Sequence, residues 1–140
     1  MTSRNTPTMG AATALSAIQF FGLAVEFLPT AAGAAPPLKP HVSAAEDVLP
    51  LLKFKCGACH LPGGEGAAKS GFEVTSYETL MKGTKFGAMI VPGDPDSSSL
   101  MRLLDWGVSP DIRMPHGKKQ LSTCDRDLIR TWIFEGAKDN

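Results

Sequence analysis

Cys56-Gly57-Ala58-Cys59-His60 is the stretch on which the reading of the whole chain turns. Two thiols separated by two residues share one side of a helical turn, and an imidazole follows at once. That spacing lets both sulfurs reach neighbouring edges of one flat macrocycle while the imidazole lies beneath its centre. It is the pattern of a covalently attached haem, with Cys56 and Cys59 as thioethers and His60 as the proximal iron ligand. Other uses of paired cysteines fit less well. A thioredoxin-like redox pair follows a strand and opens a helix, whereas a helical pattern precedes Cys56. A zinc site calls for a second Cys pair or a spaced His pair, and an iron–sulfur cluster for four cysteines. The chain has three cysteines.

Composition agrees with a small globular carrier. A length of 140 residues predicts one domain, and 43% hydrophobic with 20% charged residues fits an ordinary soluble fold. Fourteen basic residues balance fourteen acidic ones, so no field of one sign is available to hold nucleic acid. Residues 1–35 differ from the rest. An apolar run from about Met9 to Leu28 leads into the small residues Ala31-Ala32-Gly33-Ala34-Ala35. This reads as an export signal cleaved near Ala34 or Ala35. The alternative is a retained membrane anchor, against which Glu26 counts because a carboxylate is costly in lipid. Haem is attached to such motifs outside the cytoplasm, so an export signal ahead of Cys56 is what the motif requires. The expected location is the periplasm. Residues 36–46 then form a Pro-rich linker, and 47–140 the haem domain.

Within that domain the pattern is helical. Asp47 to Lys55 reads as a short helix, with Asp47 as N-cap, Pro50 in the first turn, and Leu49, Leu52 and the stem of Lys53 on one face. Leu61 to Ser70, with Gly63, Gly64 and Gly66, reads as a loop. Ser76 to Met81 suggests a helix with Thr79 three positions after its cap, and another runs from about Ser98 to Leu104. Gly107 to Lys119 is irregular. The last helix is the clearest: Ser122 or Thr123 caps it, Gly136 ends it, and Leu128, Ile129, Trp132 and Ile133 form one apolar stripe. No segment alternates with period two, so the fold class is all-α, a small helical fold wrapped around one haem.

The second axial position decides what the iron does. Met114 lies in the irregular segment before the last helix, with Pro115 to stiffen it, and a thioether ligand favours reduced iron. His116 is the alternative and would lower the potential. Met81, Met89 and Met101 are further methionines, of which Met101 adjoins an apolar helix stripe. His41 falls in the proline-rich arm, away from any metal role. Arg102, Trp106 and Arg113 are candidates to hydrogen-bond the haem propionates. Lys53, Lys55, Lys69, Lys82, Lys85, Lys118 and Lys119 form either a docking ring for redox partners or ordinary solubilising charge. Cys124 reads as a small buried residue, the alternatives being a pairing of two chains or the attachment of a lipid.

Taken in order, these pieces resemble a class I cytochrome c, and more closely the planctomycete-type cytochrome c domain. The matching residues are Val48-Leu49-Pro50-Leu51-Leu52, the Cys56–His60 motif, Val91-Pro92-Gly93-Asp94-Pro95, Met114-Pro115, Leu121-Ser122 and Trp132-Ile133 with Gly136-Ala137. The resemblance implies first and last helices crossing beside the haem with Trp132 at the crossing, and Met114 as distal ligand. His116 stands where many such domains have a second proline. The function expected is single-electron transfer between redox proteins by one haem c, without catalysis at the metal. Two alternatives are a haem module open to a small ligand, and the electron-accepting subunit of a dehydrogenase.

Overall fold

A proline four residues after a carbonyl crowds it, and here Pro50 sets the form of the first element. The structure, a computed structural model, describes residues 41–140. The expected export signal, and residues 36–40 of the expected linker, lie outside the described residues. The chain enters helix one turn earlier than expected, as a wide π-type turn at Ala44–Val48 that runs directly into α1, Leu49–His60. Pro50 has no N–H, and in a regular helix its ring would crowd the carbonyl four positions back, a clash that a wider turn relieves. Ser43, not Asp47, is the N-cap: its hydroxyl accepts from the Glu46 N–H, while the Asp47 carboxylate accepts from the Ser43 N–H at 2.9 Å. The linker reading therefore fails for residues 44–46. Ala44 and Val48 are fully buried, and the tail of the chain ties this turn down. The Asn140 side-chain oxygen accepts from the Ala44 N–H and its backbone oxygen accepts from the Ala45 N–H.

Helix α1 continues through the cysteine motif to His60, five residues past the expected end at Lys55. Leu49 and Leu52 point inward as expected, but Lys53 is exposed. The expected Leu61–Ser70 loop contains a helix, α2, Glu65–Ser70. Gly64 is its N-cap, Glu65 and Lys69 pair at 2.6 Å one turn apart, and Gly71 ends it at φ +77°. The glycines thus bracket a helix instead of forbidding one. Helix α3, Tyr77–Lys82, carries the capping box foreseen between Ser76 and Thr79. Helix α4 spans Ser99–Leu104, a single 3₁₀ turn follows at Pro110–Ile112, and α5 spans Thr123–Phe134, capped by the Ser122 hydroxyl. Among the described residues there is no strand, only an isolated bridge between Thr84 and Gly87. The fold is helical, as the sequence predicts.

The core gathers between the π turn, α4 and α5. Val48, Leu52, Leu80, Met101, Leu104, Ile129, Trp132 and Ile133 are 1% exposed or less. Each such side chain contributes roughly 1.5–3 kcal/mol of burial. Trp132 donates its indole N–H to the Lys138 carbonyl at 2.9 Å and meets the Tyr77 ring edge-on. α5 packs against the π turn that opens the first helix. Two ion-paired groups reinforce this arrangement: Lys55 reaches Asp125 at 3.1 Å, and Arg126 and Arg130 converge on Asp105 at the end of α4. No helix among the described residues is long and apolar enough to cross a membrane.

Candidate haem site

Three donors come from the last turns of α1. Cys56 faces inward and packs against the core, and burial pushes its thiol up from 9.0 to about 11 despite the opposing pull of the Lys118 ammonium. Cys59, three residues on, is exposed, and both thiols are free. His60 is held from two directions. Its Nδ1 lies 2.9 Å from the Phe72 carbonyl, and the Phe72 ring meets the imidazole edge-on at 5.5 Å. A carbonyl can only accept, so Nδ1 carries the hydrogen and Nε2 keeps its lone pair for a metal. The His60 carbonyl in turn accepts from the Val74 N–H at 3.0 Å. α2 passes close beside the ring. A Cβ on Gly66 would lie 2.8 Å from His60 Cε1 and 2.9 Å from Nε2, so only glycine fits there. Phe72 and Gly66 were not legible as site residues, because both act through a loop return twelve residues long and a helix that the glycines disguised.

Met114 belongs to the loop that approaches this turn. Its N–H donates to the Leu103 carbonyl at 3.2 Å, and its own carbonyl accepts from the Trp106 indole at 3.0 Å. Its side chain is half-buried against the core. The same loop brings Lys118 within electrostatic reach of Cys56, and the exposed His116 within reach of Glu65, a carboxyl held below its ordinary value chiefly by its hydrogen bond to Lys69. Met89 and Met101 are core side chains at 9% and 1% exposure. Met81 packs against the core from the edge.

Two of the three candidate propionate contacts have hydrogen-bond acceptors within the protein. The side-chain donor of Trp106, its indole N–H, is given to the Met114 carbonyl. Arg113 donates from Nε to the Val108 carbonyl at 3.2 Å and lies over the Trp106 ring at 5.3 Å, while Arg102 projects from the exposed side of α4. Cationic side chains gather elsewhere. Lys55, Lys118 and Lys119 line a cleft of about 360 Å³ together with Phe54, Pro115 and Leu121. Of the seven lysines named from sequence, Lys55 and Lys69 are ion-paired, and Lys53, Lys82, Lys85, Lys118 and Lys119 are exposed. Cys124 is exposed on α5, contrary to the buried reading, because the apolar stripe of that helix faces away from it.

The donor set fits a covalently held haem: two free thiols and a correctly tautomerised imidazole on one turn, with apolar surface beside them. Phe54 is 83% exposed and Leu61 is 38% exposed, flanking the motif on either side. A family model for Planctomycete cytochrome C matches residues 56–116, a span that opens on Cys56 and closes two residues after Met114. Searches of curated proteins and of solved structures return no match. Residues 56–116 of this chain are therefore similar to a planctomycete cytochrome c domain, a likeness that points to haem-based electron transfer.

Proposed function

We propose that the chain is an exported mono-haem carrier of single electrons, with Cys56 and Cys59 as the two thioethers, His60 Nε2 as the proximal ligand and Met114 as the distal one. The observation that carries the reading is the His60–Phe72 hydrogen bond on the same turn as two free thiols. It fixes the tautomer, orients the ring and raises the basicity of Nε2. When bound, haem iron supplies a one-electron couple, and the polypeptide has to hold it, tune it and keep other reactants out.

The residues divide that work. Two covalent links remove dissociation as a route of cofactor loss, which matters in a domain too small to enclose a macrocycle fully. The imidazole, made more electron-rich by Phe72, favours the oxidised state, whereas the neutral thioether of Met114 favours the reduced one. The balance sets the potential. If His60 and Met114 both held the iron, no place would be left for substrate at the metal, which would separate a carrier from an open ligand-binding module. Lys118 and Lys119, beside exposed Phe54 and the Met114 loop, supply a docking surface for a redox protein. Small, weak interfaces of this kind suit transient electron exchange.

Spectra and potentials of variants expressed in a periplasm test the ligand assignment. Met114→Ala abolishes the weak charge-transfer band of Met-ligated ferric haem and lowers the potential, and it admits carbon monoxide to the reduced protein. His116→Ala leaves band and potential nearly intact. The reverse pattern would transfer the distal role to His116.

A further inference from the structure

The end of α4 contains a residue in the wrong place for its type. The Gly107 N–H donates to the Arg102 carbonyl at 3.0 Å and the Trp106 N–H to the Leu103 carbonyl at 3.3 Å. These two bonds form the paired closure at a helix end whose penultimate position takes a left-handed residue, ordinarily glycine. Here that residue is Trp106, at φ +62°. A bulky side chain at positive φ is a strained outlier, and the chain places glycine one position later instead. The strain has a local return. From this backbone the indole N–H reaches the Met114 carbonyl at 3.0 Å, and the Arg113 guanidinium lies over the same ring at 5.3 Å with its Nε anchored on Val108. With the Met114 N–H bonded to Leu103, both polar groups of that residue's backbone are held by the end of α4.

We propose that Trp106 is the positioning residue of the distal loop: its left-handed backbone aims the indole at the Met114 carbonyl and so holds the thioether where it competes against outside ligands. The proposal rests on Met114 being the distal ligand. It assigns Trp106 a role different from a propionate contact, and one that acts on ligand exchange more than on global stability.

The test uses the haem-loaded protein in its ferric form, with added imidazole as the competing ligand. Trp106→Phe keeps a ring in place and removes only the donor. It is expected to retain the charge-transfer band yet bind imidazole about tenfold more tightly, the consequence of losing one hydrogen bond that resists loop opening. Trp106→Gly relieves the backbone, and is expected to bind imidazole at least as tightly as Trp106→Phe, with a denaturation midpoint no lower than that variant's. Because glycine is the ordinary residue at this position, this second variant folds even if phenylalanine is not tolerated. If both variants bind imidazole as the parent does while Met114→Ala loses the band, the positioning role is wrong and the ligand assignment stands. If Met114→Ala keeps the band, the ligand assignment itself is wrong and the proposal goes with it.

Discussion

Replacing Gly66 with alanine adds one carbon to a helix, and on propensity alone that change favours folding by about 1 kcal/mol. The structure predicts the opposite sign. The new carbon would stand 2.8 Å from His60 Cε1, 2.9 Å from Nε2 and 3.0 Å from the Cys59 carbonyl oxygen. The first contact falls roughly 0.7 Å short of the ~3.5 Å at which carbon atoms pack comfortably. None of the three neighbours is the loose end of a side chain. The Cys59 carbonyl belongs to α1, and the imidazole is pinned by Phe72 through a 2.9 Å hydrogen bond and an edge-on ring contact. Relief must come from displacing α2 or from pulling His60 off the Phe72 carbonyl. Overpacking of this kind costs about 1–3 kcal/mol, so the net effect is a destabilisation of up to about 2 kcal/mol after the propensity gain. Guanidinium denaturation measures it, with Gly107→Ala as control. A Cβ there meets only the Arg102 carbonyl, at 3.6 Å, and costs less than about 0.5 kcal/mol. The haem spectrum should shift in Gly66→Ala and not in the control, since only the former disturbs the proximal ligand. A Gly66→Ala protein as stable as its parent, with an unchanged spectrum, would refute the close packing of α2 on His60.

Other consequences can be checked separately. Ser98 is fully buried, accepting from the Val91 N–H at 2.9 Å and donating to the Asp94 carbonyl at 2.8 Å; Ser98→Ala should cost about 2 kcal/mol and lower Tm by on the order of 10 °C, with the haem spectrum unaltered. The Ser122 hydroxyl, then Lys55, hold the Asp125 carboxyl below its ordinary 3.8, a stabilisation present at neutral pH and lost as pH falls through the lowered value. Asp125→Asn should therefore lower the denaturation midpoint at pH 7, and the gap to the parent should close below pH 3.8. Charge reversal at Lys118 and Lys119 should slow electron exchange with an acidic redox protein and flatten its dependence on ionic strength; an unchanged rate would remove that surface from the docking account.

What could be read from the sequence was whatever is local. The spacing of Cys56, Cys59 and His60 is set by a single helical turn, the Ser76–Thr79 box by four residues, and the stripe of α5 by its own periodicity. The parts that escaped depend on distant partners. The helix starts at Ser43 because Asn140, ninety-six residues beyond Ala44, bonds the first turn, and no local signal announces that. α2 hides among glycines because one of them, Gly66, is needed for contact with His60 and not for flexibility. The indole donor of Trp106 is visible in the sequence, whereas the Met114 carbonyl that accepts from it is not. Cys124 looked buried by residue type alone, and the orientation of α5 leaves it outside.

The claim beneath all of this is that one polypeptide holds one haem by two sulfurs, and intact-mass analysis of the periplasmically expressed protein addresses it most directly. After extraction with acidified organic solvent, the account predicts a chain heavier than the bare polypeptide by one haem. Its pyridine spectrum should be that of a double thioether, and a Cys56→Ala, Cys59→Ala double variant should be colourless. A parent chain that emerges at its bare mass, its pigment in the solvent, would contradict the covalent site.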